Sequence, residues 1–258
     1  GEEAAPVRQD TRAEDGGYYL LRSGESFALL RCHTFTSRPG QADMLHLDLW
    51  RQGHNLLSDG GTFQYFDARE RGRYLASTPA HNTLNVEGLD QMTRLGRFLW
   101  LDWTRARLLE FRSWQQDGRS FTVWSGEHYG YGREGLTHRR TVYACQDHWL
   151  VIDDALMAPG GWPRRLELAW HLGAGEWTDR ENGTLQHAVT GTLLQLFGKH
   201  PPLVLRGENH YPVSGRSRYY GAMEPCVTVT STCTTSTPIR FITAIGDTLA
   251  SYDSGRLV

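Results

Sequence analysis

Lysine is almost absent from this chain. Lys199 is the single lysine among 27 basic residues, and all the others are arginine. With 29 acidic residues the formal net charge is −2, so the excess positive charge typical of nucleic-acid and membrane-surface binders is missing. Arginine's planar fork suits carboxylates and sulfates, which would fit an acidic glycan, although a GC-rich genome is the simpler explanation. More informative is a local cluster near His81, which contains Arg69, Arg71, Arg73, Arg94 and Arg97.

Several common catalytic motifs are also missing. The sequence has no glycine-rich phosphate loop, no Gly-x-Ser-x-Gly elbow, no Cys-x-x-Cys pair and no His-Glu-x-x-His helix. No apolar run approaches the roughly 20 residues that span a bilayer, and no signal peptide opens the chain, so we expect no membrane insertion. The cysteines lack metal-type spacing and are expected to be mostly buried free thiols: Cys32, Cys145, Cys226 and Cys233.

What the sequence does contain is a period-two pattern. In Met44–Trp50, leucines alternate with His46, Asp48 and Trp50, so a strand there would bury the leucines and place the polar set on the opposite face. No long stretch shows helical periodicity. Other strand-like segments are Thr83–Val86, Arg139–Ala144, Trp149–Ile152, Leu166–His171, Thr192–Phe197 and Pro238–Ile245. The prediction is an all-β fold, a large antiparallel β-sandwich of many short strands.

The chain is predicted to form one domain. Residues 1–17 are polar and poor in large apolar side chains, as in a linker or frayed terminus, and look like the point where a longer protein was cut. Residues 18–258 show no internal repeat, no low-complexity tract and no boundary, and are numerous enough for a sizeable core.

Polar residues interrupt strand-like runs in the stretch from Arg38 to Gln91, where a plain core strand would gain nothing from them. The notable groups are Ala42–Asp43, Asp59–Gly60, Tyr65 and Ala80–Thr83. This pattern resembles the conserved stretch of the heparinase II/III-like polysaccharide lyases, in the β-sandwich domain that follows their helical toroid. The resemblance implies a β-sandwich of the supersandwich type. Two leading histidines of the family pattern are replaced here by Pro39 and Gln41.

The resemblance continues along most of the chain from about Tyr18. Its later segments follow the family's usual order: Gly126–Tyr131, His138–Val142, Leu150–Asp154, Ser217–Gly221 and Phe241–Thr243.

A metal site is one implication of the resemblance. A carboxylate, an imidazole and an amide oxygen can together hold a divalent ion. In the family this constellation, with histidine in place of Gln41, binds zinc, so Gln41, Asp59 and His81 are the candidate ligands, with zinc affinity lowered by the amide. The alternative is a metal-free site in which Gln41 donates to Asp59 and Asp59 orients His81. His46 and Asp48 share a strand face and are either further ligands, or residues that face a substrate cleft, or part of a solvated or hydrogen-bonded outer face of the strand.

Other residues are candidates for catalysis and substrate binding. Tyr65 and Tyr74 bracket the loop before His81, and tyrosine is a plausible acid or base in polyuronate elimination, although both could instead fill the core. The candidates for substrate binding are Asn82, Arg73, Arg94, His128 and Tyr131. A structural role is an open alternative for Asn82, His128 and Tyr131.

The function implied by the resemblance is β-elimination of a glycan that contains uronic acid. The family's carboxylate neutraliser and main tyrosine come from the helical toroid, so the expected partners are an acidic polysaccharide and an N-terminal toroid domain of the same parent protein. The expected source is bacterial and the location periplasmic or secreted. The alternative is a non-catalytic glycan-binding or structural module, because Pro39 stands where the family has a catalytic histidine.

Overall fold

The structure is a computed structural model that describes residues 9–66, 71–198 and 200–249, with the backbone of two short C-terminal strands. Almost all regular structure is β. The strands are β1 (Thr11–Ala13), β2 (Tyr18–Ser23), β3 (Ser26–Arg31), β4 (Leu47–Arg51), β5 (His54–Leu57), β6 (Leu84–Val86), β7 (Thr93–Arg94), β8 (Trp100–Leu101), β9 (Ala106–Gln116), β10 (Arg119–His128), β11 (Leu136–Cys145), β12 (His148–Met157), β13 (Arg164–Leu172), β14 (Trp177–Asp179), β15 (Leu185–His187), β16 (Leu193–Phe197), β17 (Leu203–Arg206), β18 (Gly215–Arg216), β19 (Glu224–Pro225), β20 (Val227–Thr235), β21 (Ile239–Gly246), β22 (Tyr252–Asp253) and β23 (Arg256–Leu257).

Helical structure is limited to short pieces. One α-helix, α1, spans Arg71–Leu75. Single 3₁₀ turns occur at Thr78–Ala80, Gly132–Glu134, Glu181–Gly183 and Glu208–His210.

Two large antiparallel sheets make up the domain. Within the described residues the first has nine strands in the order β1-β2-β3-β4-β5-β13-β20-β17, with β6 also paired to β13. The second has eight strands in the order β14-β15-β16-β21-β12-β11-β10-β9. Small two-stranded sheets are formed by β7 with β8, β18 with β19, and β22 with β23.

The core lies between the two large sheets. Along β11 buried residues alternate with more exposed ones over its whole length, as the pleat of a half-buried strand requires. One apolar cluster joins Leu21 and Leu47 of the first sheet to Val142 and Val151 of the second. Hydrogen bonds cross the same interface, because the indole of Trp170 donates to Thr243 Oγ1 at 3.0 Å. The arrangement is a β-sandwich.

The predicted fold class is confirmed. The strand-like segments predicted at 139–144 and 149–152 lie in β11 and β12, which form a hairpin; its turn residues Gln146 and Asp147 both have positive φ, as a two-residue hairpin turn favours. The four cysteines are free thiols, of which Cys32 and Cys226 are buried. In the described part of the chain, no helix has the length and apolar character needed to cross a membrane.

The start of the chain is more ordered than predicted where the structure describes it. Residues 1–8 of the predicted linker lie outside the described residues. Thr11–Ala13, however, pairs with Tyr18–Leu20 at the edge of the first sheet. The sandwich therefore begins before residue 18.

The strand predicted for Met44–Trp50 is wrong at its first residues. Strand β4 starts at Leu47, because Leu45 has φ 60° and lies in the left-handed region. Leu45 still packs in the core, but the period-two alternation is broken before His46. One alternative predicted for His46, a place on the outer face of a strand, is wrong, because His46 precedes β4 and is buried.

Candidate functional site

Two long connections carry the polar residues of the 38–91 stretch. One joins β3 to β4 and the other joins β5 to β6. They are tied together by Thr78, whose hydroxyl donates to the carbonyl of Ala42 at 2.9 Å, and by Thr83, whose hydroxyl donates to the carbonyl of Met44 at 2.9 Å. The side chain of Gln91 also holds the backbone of Met44: it accepts from the Met44 N–H at 2.8 Å and donates to the Met44 carbonyl at 3.1 Å.

His46, Asp59 and His81 converge where these connections meet. Each offers one ligand-type atom, and the atoms lie within 4.8 Å of one another. His81 Nδ1 lies 2.7 Å from Asp59 Oδ2, and His46 Nε2 lies 3.7 Å from the same oxygen. Both imidazoles are buried, whereas the Asp59 side chain is 33% exposed. We call these three residues the His-Asp-His cluster.

The His-Asp-His cluster has strongly perturbed electrostatics. Burial by itself would raise the pKa of Asp59, but the adjacent His81 charge and hydrogen bond outweigh it and hold that pKa well below its usual range. Burial likewise opposes a charge on His81, yet Asp59 raises the pKa of His81 above its ordinary value. His46 has no such close partner, and burial lowers its pKa to about 3. His46 is therefore neutral, while Asp59 and His81 favour an ion pair.

Gln41 reaches the cluster only through Gly61. Its Nε2 donates to the Gly61 carbonyl at 3.2 Å, and the Gly61 N–H donates to Asp59 Oδ1 at 2.6 Å. The expected direct donation from Gln41 to Asp59 is thus replaced by one relayed through the backbone. Asp48 is not one of the three residues whose ligand-type atoms converge, and it accepts from the amide of Asn55 at 2.5 Å.

The residue types of the cluster are those that bind zinc, but the hydrogen bonds around them are not arranged for it. Two nitrogens, His46 Nε2 and His81 Nε2, are buried without a partner among the described residues, as an absent ion or water would leave them. Against this, His46 Nδ1 accepts the backbone N–H of Asn82 at 3.0 Å. That contact fixes which ring nitrogen of His46 carries the proton.

Arg140 is a residue of the site that sequence reasoning missed. Its guanidinium is fully buried and pairs with Asp153 through Nε–Oδ1 at 2.7 Å and Nη2–Oδ2 at 3.1 Å. Its remaining nitrogen, Nη1, donates to the carbonyls of Leu45 at 2.5 Å and Asn82 at 2.6 Å. Arg140 therefore holds the residue before His46 and the residue after His81. The available signal was a charged residue among the apolar core positions of β11.

Asn82 and His128 do not face a ligand. The amide of Asn82 is fully buried, donates to the carbonyls of Leu47 and Ser58 and accepts the N–H of His171. His128 is fully buried and lies 3.2 Å from His138. The prediction that Asn82 and His128 bind substrate is therefore wrong. The polar groups of Asn82 are hydrogen-bonded to the backbone, and the ring of His128 has no exposed edge.

An arginine-lined cavity of about 650 Å³ opens beside the cluster. Its wall includes Gln41, Tyr65 and Phe98, and Asp43 is the only carboxylate that the described residues contribute. Burial raises the pKa of Asp43 above its ordinary value. The arginines on its wall are Arg31, Arg38, Arg73, Arg94 and Arg97. Of the predicted arginine cluster, Arg73, Arg94 and Arg97 therefore face this cavity. Arg71 stacks on Phe63 instead, and Arg69 lies outside the described residues.

The two candidate tyrosines have different surroundings. Tyr65 is 54% exposed on the cavity wall and makes edge contacts with Phe98 at 5.4 Å and Tyr220 at 5.6 Å. Tyr74 packs against a small apolar cluster, and its hydroxyl donates to the Pro79 carbonyl at 3.3 Å. Burial raises the pKa of Tyr74. Tyr65 can meet a ligand, whereas Tyr74 fills the core.

A second cavity, of about 820 Å³, adjoins the first. Arg73 and Arg94 line both cavities, and Tyr131 contributes to the second although its ring is almost entirely buried. The hydroxyl of Tyr131 lies 3.3 Å from the Leu84 carbonyl. Acidic and basic residues are mixed on this wall, as in the ion pair of Arg133 with Asp102 at 3.0 Å.

The family profile described as "Heparinase II/III-like, C-terminal" matches residues 5–216. The chain belongs to this family. No curated protein matches the chain.

Solved structures share the fold of this family member. A heparinase III gene product is 18% identical with a TM-score of 0.74, and the match covers 94% of this chain and 36% of that one. A heparan sulfate lyase HepC mutant from Pedobacter heparinus is 18% identical with a TM-score of 0.72, over 94% of this chain and 37% of that one. The chain thus spans little more than a third of the length of these proteins.

Proposed function

We propose that this chain is the β-sandwich part of a polysaccharide lyase that holds a glycan rich in uronate or sulfate groups in the arginine-lined cavity. The observation that carries the proposal is the charge of that wall, where the described residues include five arginines and a single carboxylate. Guanidinium groups pair with carboxylates and sulfates through two parallel N–H···O bonds. The exposed ring of Tyr65 offers a face or edge for a sugar.

Elimination needs three groups, and the cavity offers candidates for two of them. The uronate carboxylate must be neutralised so that the neighbouring C–H becomes acidic, a base must take that proton, and an acid must protonate the leaving oxygen. The arginines can neutralise the carboxylate. Tyr65 is the candidate for a proton-transfer group, because its side chain is exposed on the cavity wall. The remaining group would come from another domain of the parent protein, for which the family resemblance indicates a helical toroid.

The alternative is a module that binds an acidic glycan without cleaving it. It is favoured by Pro39 at the place of the family's catalytic histidine and by the buried hydroxyl of Tyr74. Both versions need the same cavity. The expected location in either case is periplasmic or secreted, where such glycans occur.

Binding tests the cavity directly. We expect the chain to bind a uronate- or sulfate-bearing oligosaccharide in calorimetry, more weakly as salt is added, and not to bind a neutral glucan of equal length. Arg38→Gln and Arg97→Gln should each weaken binding about fivefold, as for an exposed contact worth about 1 kcal/mol. Arg119→Gln is the matched control, since Arg119 is exposed and lines neither cavity. Equal affinity in all three variants would place the glycan elsewhere.

The lyase and binding-module versions differ in product. Ultraviolet absorbance of unsaturated uronate, followed with the parent protein and with this chain, separates them. Product formed by the parent protein but not by this chain supports a lyase completed by another domain. Binding without product from either supports the module.

A further inference from the structure

The proton of His46 can be located from its neighbours. Its Nδ1 accepts the Asn82 N–H at 3.0 Å, and a backbone N–H can only donate, so Nδ1 carries a lone pair. In a neutral imidazole the other nitrogen then carries the hydrogen. An imidazole with a lone pair on Nδ1 is neutral, so the Nε2 of His46 is an N–H donor.

A zinc ligand needs the opposite arrangement. The ligating nitrogen supplies a lone pair, and the second ring nitrogen donates its N–H to a carboxylate, carbonyl or water. If His46 bound a metal through Nε2, its Nδ1–H would face the Asn82 N–H, and two donors would oppose each other inside the protein. His81 Nδ1 is already bonded to Asp59, so His81 Nε2, which has no partner in the described part of the chain, is the one ring nitrogen of the cluster left to offer a lone pair.

The same tautomer fits a hydrogen-bonded cluster well. His46 Nε2 lies 3.7 Å from Asp59 Oδ2, which is about 0.5 Å beyond a normal N–H···O bond. His81 approaches that oxygen at 2.7 Å, and Gly61 N–H donates to Oδ1 at 2.6 Å. A carboxylate has roughly four acceptor positions, so three N–H donors can share it without a metal.

We propose that His46, Asp59 and His81 form a triad that takes no zinc ion, in which Asp59 is bonded to His81 and faces the Nε2–H of His46 across 3.7 Å. Gln41 is part of the same arrangement, since its amide is bonded to Gly61 and Gly61 to Asp59. The proposal concerns the cluster alone and does not depend on the glycan.

Nitrogen-15 NMR of the labelled chain tests the tautomer on the unaltered protein. We expect the His46 ring to show a protonated Nε2 and an unprotonated Nδ1, with no change after zinc sulfate is added. A protonated Nδ1, or a shift of the Nε2 signal on addition of zinc, would overturn the proposal.

Thermal unfolding with and without zinc sulfate provides an independent measurement. The melting temperature of the wild-type chain should not change, whereas a site at 100 times its Kd would raise it by about 5–10 °C. Gln41→His is the positive control, because it restores an imidazole at the position where the family has one. A rise of that size in the wild type that is lost in His46→Gln would refute the triad and make His46 a ligand.

Discussion

The Arg140→Met substitution should have the largest effect on stability of any single change near the site. The Arg140 guanidinium has no exposed surface and makes two bonds to the equally buried Asp153, two bonds to backbone carbonyls, and a cation–π contact with Trp170 at 4.9 Å. Methionine fills much of the same volume but donates nothing. Asp153 would keep only the bond from His138 at 2.7 Å, and the carbonyls of Leu45 and Asn82 would lose this donor.

The expected cost follows from that geometry. Removing one partner of a buried ion pair costs about 3–5 kcal/mol, because the other charge is left in the core. For a domain of this size each 1 kcal/mol lowers the melting temperature by about 2–4 °C, so the expected fall is about 6–20 °C. Protonation of Asp153 would limit the loss, since Arg140 contributes to holding the pKa of Asp153 below its usual range.

Thermal and urea unfolding measure this cost, and the neighbouring pair provides a matched control. Arg240 and Asp154 make the same bidentate contact on the adjacent position of β12, at 2.7 and 3.0 Å, but Arg240 is 58% exposed. Arg240→Met should therefore cost no more than about 1 kcal/mol. If Arg140→Met were no more destabilising than Arg240→Met, the assignment of Arg140 as the clamp of the two site connections would be refuted.

Two further predictions follow from individual side chains. Burial lowers the pKa of His171 to about 4, below its ordinary 6.5, so the unfolded chain binds a proton that the native chain does not, and stability falls as pH drops from about 6.5 to 4. His171→Gln should make this fall shallower by about 1.4 kcal/mol per pH unit in urea unfolding, and parallel curves would contradict it. Tyr65→Ala should weaken binding of the acidic oligosaccharide about 2- to 12-fold, as loss of an aromatic contact of about 0.5–1.5 kcal/mol implies, while Tyr65→Phe retains binding. Tyr74→Phe should leave affinity unchanged, because the Tyr74 hydroxyl is bonded to Pro79, and a loss as large as that of Tyr65→Ala would contradict this.

The fold could be predicted because its main signal is local. Along β11 and β12 each side chain alternates between core and surface, so the period of two is written directly into the sequence. The strand boundary at Leu47 could not be predicted in this way. A left-handed φ at Leu45 is unusual for a leucine and is imposed by contacts far along the chain, such as the Arg140 bond to the Leu45 carbonyl.

The site was only partly predictable for the same reason. Asp59 and His81 were identified by their motif, and the structure places them 2.7 Å apart. His46 joins them because the left-handed backbone at Leu45 turns its side chain inward. The alternation of apolar and polar residues in the sequence gives no sign of that turn. For His128 substrate binding and a structural role were both predicted as alternatives, and the structure favours the second, because the ring lies in a buried hydrogen-bond network with His138.

The cavity and the His-Asp-His cluster share one short piece of chain, which links binding to the geometry of Asp59. Gln41 lines the cavity, and its amide holds the Gly61 carbonyl, while the Gly61 N–H holds Asp59. Glycine is required at position 61, where φ is 78° and a Cβ would lie 2.1 Å from the Ser217 carbonyl oxygen. A glycan group that binds the Gln41 amide in the cavity would therefore compete with the hydrogen bond from Gln41 Nε2 to the Gly61 carbonyl. Since the Gly61 N–H and His81 are the groups bonded to the Asp59 carboxylate among the described residues, occupancy of the cavity and the position of that carboxylate should change together.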